Sequence, residues 1–164
     1  MRWPAALLAV LLALPAMADQ SARFAAQELA VSKRVTLAGV LDESAFDRLA
    51  ELDATVVELR TAPEGIEAER RALISRGVHY VHLPVGGKPF AREDVLFLGR
   101  ILDARPERPV VVHCASGNRA AALWGALRLE RGAALQDVLE EVAPIATKEP
   151  TRETIRKYAA QLKE

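Results

Sequence analysis

The sequence predicts an α/β fold in which helices flank a mostly parallel central sheet. Short apolar runs alternate along the chain with longer segments whose apolar residues recur at helical spacing. One short run, residues 109–114 (PVVVHC), is typical of a strand that is buried on both faces. Strands and helices that alternate in this way favour right-handed βαβ crossovers within one sheet.

The first three elements occupy residues 34–60. A strand is predicted at residues 34–39 (RVTLAG), after a poorly patterned segment at residues 21–32. A helix follows at residues 42–52, where apolar residues recur at helical spacing and Asp42 is a suitable N-cap. Residues 55–60 (TVVELR) then predict the second strand.

The middle of the chain repeats this alternation. Residues 66–77 predict a helix that Gly77 ends. The strand predicted at residues 78–85 (VHYVHLPV) precedes a pair of glycines, and residues 92–104 predict the third helix.

The last strand, residues 109–114, leads through a short turn into a helix predicted at residues 119–131. Two more helices are predicted at residues 135–142 and 151–163. In open parallel sheets, ligands bind outside the carboxyl ends of the strands. Cys114 lies at such an end, so the turn that follows it is the candidate site.

The first 18 residues have the pattern of a secretory signal peptide. Arg2 carries the positive charge, residues 5–14 include the apolar run, and Ala16-Met17-Ala18 matches an A-x-A cleavage site. The apolar run is shorter than the roughly 20 residues that a membrane-spanning helix needs. We expect cleavage after Ala18, which leaves residues 19–164 as one domain, periplasmic or secreted and without a stable membrane anchor. An uncleaved anchor is the alternative.

Charge and cysteine content narrow the classes of function. Loss of Arg2 with the signal peptide leaves 21 of the 22 basic residues against 22 acidic ones, which argues against a nucleic-acid partner. Cys114 is the single cysteine. It is therefore a buried small hydrophobic residue, half of an intermolecular bridge, or a reactive thiol. No metal or cofactor is expected, because His79 and His82 have no further ligand at metal spacing and we interpret both as structural.

The turn after Cys114 has the composition of an anion-binding loop. It connects a buried strand to a helix N-terminus, where backbone N–H groups and the helix dipole create positive potential. Gly117 supplies the backbone freedom of a tight turn, and the local field favours a thiolate at Cys114. Arg119 can turn its guanidinium back over the loop and hold an oxyanion by two parallel hydrogen bonds. A nucleophile, an anion cradle and an arginine together predict phosphoryl or sulfuryl transfer.

The segment HCASGNRAAALW, with TVVELR and VHYVHLPV before it, resembles the bacterial beta-lactamase hydrolase-like phosphatase family. This family is a branch of the protein tyrosine phosphatase-like superfamily with dual-specificity phosphatase topology. The resemblance covers about residues 33–142. It implies a three-layer fold in which the cysteine loop lies between a central strand and a helix.

The resemblance also implies the hydrolysis of phosphate monoesters. Cys114 would take the phosphoryl group as nucleophile, Arg119 would bind the phosphate, and water would hydrolyse the thiophosphate intermediate. Further phosphate-binding groups would come from the loop residues Ala115, Ser116, Gly117 and Asn118. The implied partner is a phosphorylated small molecule or protein.

Two departures from the tyrosine phosphatase pattern concern the loop and its helix. Four residues separate Cys114 from Arg119, whereas tyrosine phosphatases generally have five. Four is also the spacing common in rhodanese-type sulfurtransferases. Ala120 stands where phosphatases often carry a hydroxyl that helps the cysteine leave the intermediate. The second half of the reaction is therefore expected to be slow.

A third departure concerns the general acid. Gly86 and Gly87 stand where an aspartate is usual, and the nearest carboxyl groups belong to Glu93 and Asp94. Either could protonate a leaving group, although both also fit the first turn of the next helix. Substrates with good leaving groups need little protonation.

Three polar residues are supporting candidates. His113 could fix the loop, favour the thiolate or simply pack in the core. Arg60 ends a strand on the same edge of the sheet as Cys114, so it could bind an anion or form a surface ion pair. The Asn118 amide could orient the cradle, whereas Trp124 is expected in the core.

Three functions therefore stay open. The first is an exported cysteine-dependent phosphatase of the tyrosine or dual-specificity type. The second is a rhodanese-like sulfurtransferase with a persulfide on Cys114, which the four-residue spacing favours. The third is a catalytically weak anion-binding module, which Ala120 and the two glycines favour.

Overall fold

A five-stranded sheet forms the centre of the fold. Its strands are β1 (Glu28–Ala30), β2 (Val35–Ala38), β3 (Thr55–Glu58), β4 (His79–His82) and β5 (Val110–His113). They lie in the order β1-β2-β5-β3-β4, and among these described strands β1 alone is antiparallel to its neighbour. The structure, a computed structural model, describes residues 23–86 and 90–163, so the predicted signal peptide lies outside it. The predicted mostly parallel sheet is confirmed.

Six helices of the described chain cover the two faces of this sheet. They are α1 (Phe46–Glu51), α2 (Glu67–Ser75), α3 (Arg92–Ala104), α4 (Asn118–Glu130), α5 (Leu135–Val142) and α6 (Glu149–Gln161). α1 and α2 pack on one face, and α3 to α6 pack on the other. None of the helices in the described part of the chain is long and apolar enough to cross a membrane.

β5 is the central strand, and its sequence explains why. Val110, Val111 and Val112 are at most 1% exposed. Since side chains alternate along a strand, Val111 packs in the core under α1 and α2, whereas Val112 packs in the core under α3 to α6. A strand with two apolar faces can only be accommodated between two helical layers.

The register of the parallel strands brings their carboxyl ends together. Ala38 of β2 and Glu58 of β3 both lie opposite His113 of β5. The residues that follow these strands, Gly39, Leu59 and Cys114, therefore share one edge of the sheet. This is the edge at which the sequence predicts the site.

Two sequence predictions need correction. The poorly patterned segment before β2 contains the edge strand β1, whose three residues are too few to show an alternating pattern. Asp42 precedes a 3₁₀ turn, Glu43–Ala45, and its side chain makes no capping hydrogen bond; the α-helix itself begins at Phe46. The predicted stop at Gly77 is confirmed, since this residue has φ 80° just after α2.

Candidate active site

Cys114 is the first residue after the central strand. It is 1% exposed, and its amide donates to the Ala38 carbonyl at 3.2 Å. Its side chain belongs to the apolar cluster under α3 to α6, whereas His113 turns to the opposite face of the sheet. The thiol is thus held at the carboxyl edge of the sheet by two neighbouring parallel strands.

The turn from Cys114 into α4 is short because of one glycine. Gly117 is the N-cap residue of α4 with φ 78°, a left-handed conformation that glycine adopts freely, and no side chain caps this helix end. Ser116 forms a β-bridge with Gly39, which fixes the turn to the end of β2. The first-turn N–H groups of α4 are therefore available to an anion at the loop.

Asn118 connects the cysteine loop to the start of α6. Its side-chain oxygen accepts hydrogen bonds from the Lys148 amide at 3.0 Å and from the Thr151 hydroxyl at 2.9 Å. Its side-chain nitrogen donates to the hydroxyls of Ser116 and Thr147, each at 3.3 Å. The four contacts tie the loop to the residues around the N-terminus of α6.

Arg119 is held by the carboxylate of Glu64, which the sequence does not predict as part of the site. Its Nη1 donates to Glu64 Oε2 at 2.8 Å and to the Val85 carbonyl at 3.0 Å, and its Nη2 donates to Glu64 Oε1 at 2.5 Å. These contacts use three of the five guanidinium N–H donors. The other two, Nε–H and one N–H of Nη2, lie side by side on another edge of the guanidinium, the arrangement that binds two oxygens of an oxyanion.

Glu64 and Arg119 shift each other's pKa in the direction that favours their charged forms. The hydrogen bond to Glu64 raises the pKa of Arg119 despite partial burial, and the Cys114 side chain raises it further. The hydrogen bond from Arg119 lowers the pKa of Glu64 to about 2. Glu64 is therefore ionised at neutral pH, and it positions Arg119 next to Cys114.

An open cavity of about 420 Å³ lies over the loop. Ser116, Asn118 and Arg119 form one part of its wall, and Phe90 and Lys148 line other parts. No carboxyl group lines the described part of this cavity.

The fold is similar to that of several solved structures over 82–84% of this chain. The sequence matches no model of a protein family, and no curated protein matches it. Among solved structures, Tk-PTP in its active form is 22% identical, with 82% of this chain and 97% of that chain covered and a TM-score of 0.66. A cysteine-to-serine variant of TpbA from P. aeruginosa, in complex with phosphotyrosine, is 22% identical (84% and 90% covered, TM-score 0.63). The catalytic core of Siw14 is 15% identical (83% and 91% covered, TM-score 0.62).

The chain has the protein tyrosine phosphatase-like fold. In this fold the structure places the Arg119 guanidinium beside the Cys114 side chain, with the loop between them. Glu64 joins them through the 3₁₀ turn Ala62–Glu64, which follows β3. The local signal for this residue was a capping box, in which the amide of Thr61 donates to Glu64 Oε2 at 2.8 Å.

The two candidate general acids lie at the start of α3. Asp94 Oδ2 accepts a hydrogen bond from the Ala91 amide at 2.9 Å, so this carboxylate caps the helix. Glu93 is an exposed residue of the same turn. Neither lines the cavity over the loop. Of the glycines between β4 and α3, Gly86 lines the cavity and Gly87 lies outside the described residues.

Arg60 and His113 lie on the face of the sheet that α1 and α2 cover. The Arg60 guanidinium donates to Glu58, with Nη2 2.6 Å from Oε2, and Nη2 also lies 2.9 Å from Glu69 Oε1. Arg60 is 7% exposed. The alternative of a surface ion pair was therefore wrong in its location: the pair is buried, because α2 covers the end of β3.

The loop conformation leads to a testable prediction at Gly117. We expect Gly117→Ala to lower the free energy of unfolding by about 2–4 kcal/mol, the combined cost of a left-handed alanine and of a forced contact. The added Cβ would lie 2.5 Å from Ile145 Cγ1. Urea denaturation measures the loss.

Gly132→Ala is the matched control for Gly117→Ala. Gly132 has φ 84°, and a Cβ there would meet nothing within 4 Å. Only the backbone cost of about 1–2 kcal/mol should then appear. Equal losses in the two variants would contradict the tight packing of the loop against Ile145.

Proposed function

We propose that this protein is an exported cysteine-dependent phosphatase that hydrolyses phosphate monoesters of the tyrosine or dual-specificity type. The observation that carries the proposal is the Arg119 guanidinium. Glu64 and Val85 hold it beside Cys114, and one edge with two parallel donors is left for an oxyanion. The uncapped N-terminus of α4 adds backbone donors at the same place.

The proposed reaction has two steps. The Cys114 thiolate attacks phosphorus, so that a sulfur–phosphorus bond forms while the ester oxygen leaves with its electron pair. Water then attacks the thiophosphate, which releases inorganic phosphate and restores the thiolate. Arg119 and the loop amides would stabilise the charge on the phosphoryl oxygens in both steps.

The proposed phosphatase should prefer substrates with good leaving groups. No carboxyl group lines the described part of the cavity, and Glu64, whose pKa is about 2, is ionised and cannot donate a proton. An aryl oxygen needs less protonation than an alkyl oxygen when it leaves. The substrate class that fits best is therefore an aryl phosphate, in a small molecule or a protein. Phosphotyrosine in the TpbA complex is such a group.

The hydrolytic activity of the protein comprising residues 19–164 should be measured from pH 5 to 8. The substrates are an activated aryl phosphate and an alkyl phosphate such as a phosphoserine peptide. We expect hydrolysis of the aryl ester, inhibition by vanadate and little hydrolysis of the alkyl ester. Absence of aryl phosphate hydrolysis over the whole range would overturn the proposal. Treatment with thiosulfate should leave the mass unchanged; a cyanide-labile gain of about one sulfur atom would favour the sulfurtransferase instead.

Export is proposed from the N-terminal pattern alone. Purified protein from the periplasmic fraction should begin at Asp19. A retained Met1 in membrane-bound protein would favour the uncleaved anchor.

A further inference from the structure

Four ionisable side chains, three of them buried and one (Glu69) almost so, lie together on the face of the sheet opposite to the Cys114 side chain. They are Glu58, Arg60, Glu69 and His113. Glu58 and His113 are completely buried. The His113 Nε2 atom lies 3.3 Å from Glu58 Oε2 and 3.2 Å from Glu69 Oε1, and neither contact has hydrogen-bond geometry.

The groups that face this cluster come from every neighbouring element. β3 contributes Glu58, the segment after it Arg60, α2 Glu69 and β5 His113. β4 contributes Tyr80, whose hydroxyl is buried without a partner and has a raised pKa, first because of burial and then because of the nearby carboxylates. His82 of β4 contacts the Arg60 carbonyl at 2.8 Å with Nε2.

Charge balance requires one proton on this cluster beyond those of Arg60. Arg60 is always positive. With both carboxylates ionised and the imidazole neutral, the cluster would carry one net negative charge in a buried site, which is costly. A single proton on Glu69 or on His113 makes the cluster neutral.

The surroundings place this proton on Glu69. Burial raises the pKa of Glu69 to about 7, and the Glu58 carboxylate adds to the rise in opposition to Arg60. Burial lowers the pKa of His113 to about 4, and Arg60 adds to that fall. Burial alone would raise the pKa of Glu58, but the hydrogen bond from Arg60 holds it below its usual value. Near pH 6, Glu69 is thus protonated, Glu58 ionised and His113 neutral.

The cluster adjoins the cysteine loop through His113. This residue precedes Cys114, and its carbonyl accepts a hydrogen bond from the Leu59 amide at 2.9 Å. The Gly39 backbone lies against the imidazole and also forms the β-bridge with Ser116. A change of charge or position at the imidazole is therefore transmitted directly to the loop.

We propose that Glu69 is a positioning residue for the cysteine loop: it holds the one proton that neutralises this cluster, and loss of that proton adds a negative charge behind the loop and weakens anion binding there. The need for this proton follows from the charges of the cluster itself, and only its effect on turnover rests on the proposed function. Glu58, Glu69 and His113 are also ligand types that bind divalent cations, with ligand atoms within 4.8 Å of one another. The Arg60 guanidinium already forms ion pairs with both carboxylates, so it supplies the positive charge that a cation would otherwise bring.

The first test is the pH dependence of stability. In the unfolded chain the proton binds His113 below about pH 6.5, and Glu69 takes one only below about pH 4.3. In the folded chain, Glu69 holds the proton up to about pH 7. The two states therefore bind equal numbers of protons between about pH 4.5 and 6.5. In this range the wild-type cluster does not make the free energy of unfolding depend on pH. Above this window the folded state binds more protons, so stability falls as pH rises through 7.

Glu69→Gln should change this profile. The glutamine is neutral, so the unfolded chain now binds one more proton, on His113, than the folded chain does. As pH rises from 4.5 to 6.5, the unfolding constant of Glu69→Gln should then fall about tenfold per pH unit relative to that of wild type, as linkage requires for one proton. Glu67→Gln is the matched control, because Glu67 lies on the same helix in an exposed pair with Arg70; its profile should parallel that of wild type.

The second test measures anion binding at the loop with sulfate, whose charge does not change between pH 5.5 and 8.5. The affinity for sulfate is measured by calorimetry. Above pH 7 the affinity of wild type should fall about tenfold further than that of Glu69→Gln, because the variant cannot acquire the negative charge of an ionised Glu69. The two proteins differ only at residue 69, so the difference in sulfate affinity reports the charge of Glu69.

The proposal is overturned if the stability profiles of Glu69→Gln and wild type are parallel, or if their sulfate affinities fall equally with pH. A stoichiometric divalent metal in the purified protein would also overturn it, because the metal would replace the proton. Failure of aryl phosphate hydrolysis counts against the proposed function alone, since neither stability nor sulfate binding requires turnover.

Discussion

Replacing Cys114 by serine is expected to reduce aryl phosphate hydrolysis by about 10⁴-fold or more, to the background rate. The serine hydroxyl stays protonated near neutral pH, so the attacking anion is lost while the loop and Arg119 are retained. Steady-state kinetics with an activated aryl phosphate measures the loss. Mass spectrometry of a rapidly quenched wild-type reaction should show a phosphorylated chain, and the variant should show none.

The serine variant also provides its own control for folding. Cys114 is 1% exposed and packs in the apolar cluster under α3 to α6, so the variant is expected to be less stable but folded. Sulfate should still bind, because the loop amides and Arg119 are unchanged. Hydrolysis that survives in a folded Cys114→Ser protein would show that another group is the nucleophile.

Arg119→Lys is expected to lower kcat/KM by roughly 10³-fold, the second large effect. A lysine keeps the positive charge, but its single ammonium cannot hold Glu64 and Val85 and also present two parallel donors to a phosphate. The loss should appear in kcat as well as in KM, because the phosphoryl oxygens gain charge as the reaction proceeds.

Arg131→Lys is the matched control for this substitution. Arg131 directly follows α4, and its Nη2 pairs with Asp103 at the surface at 2.7 Å. Its replacement should change kcat/KM by less than about twofold, because the pair is exposed and lies at the C-terminal end of α4, whereas the loop lies at its N-terminal end. An Arg119→Lys protein as active as this control would contradict the role of the guanidinium edge.

The fold and the core of the site were predictable because their signals are local. The valines of β5, the glycine of the turn and the arginine at the start of α4 are contiguous, and each residue type has a physical reason to be there. The edge strand β1 was missed, since three residues carry no period. The role of Asp42 was wrong because a cap depends on the geometry of one turn, which composition does not determine.

The contacts of the site with distant residues were not predictable in the same way. Glu64 is 55 residues from Arg119 in the chain, and Glu58, Glu69 and His113 come from three different elements. The strand register places Glu58 opposite His113, and the packing of α2 adds Glu69. A one-residue shift of that register would turn Glu58 to the other face of the sheet.

The amino-acid sequence by itself thus determined the alternation of β2 to β5 with the helices, the burial of β5 on both faces and the closeness of Cys114 to Arg119, because these depend on periodicity and on neighbours along the chain. Only the tertiary structure decided which carboxylate holds Arg119, where Arg60 points and what is buried with His113. Those outcomes depend on register and layer packing, which bring together side chains that are far apart in the sequence.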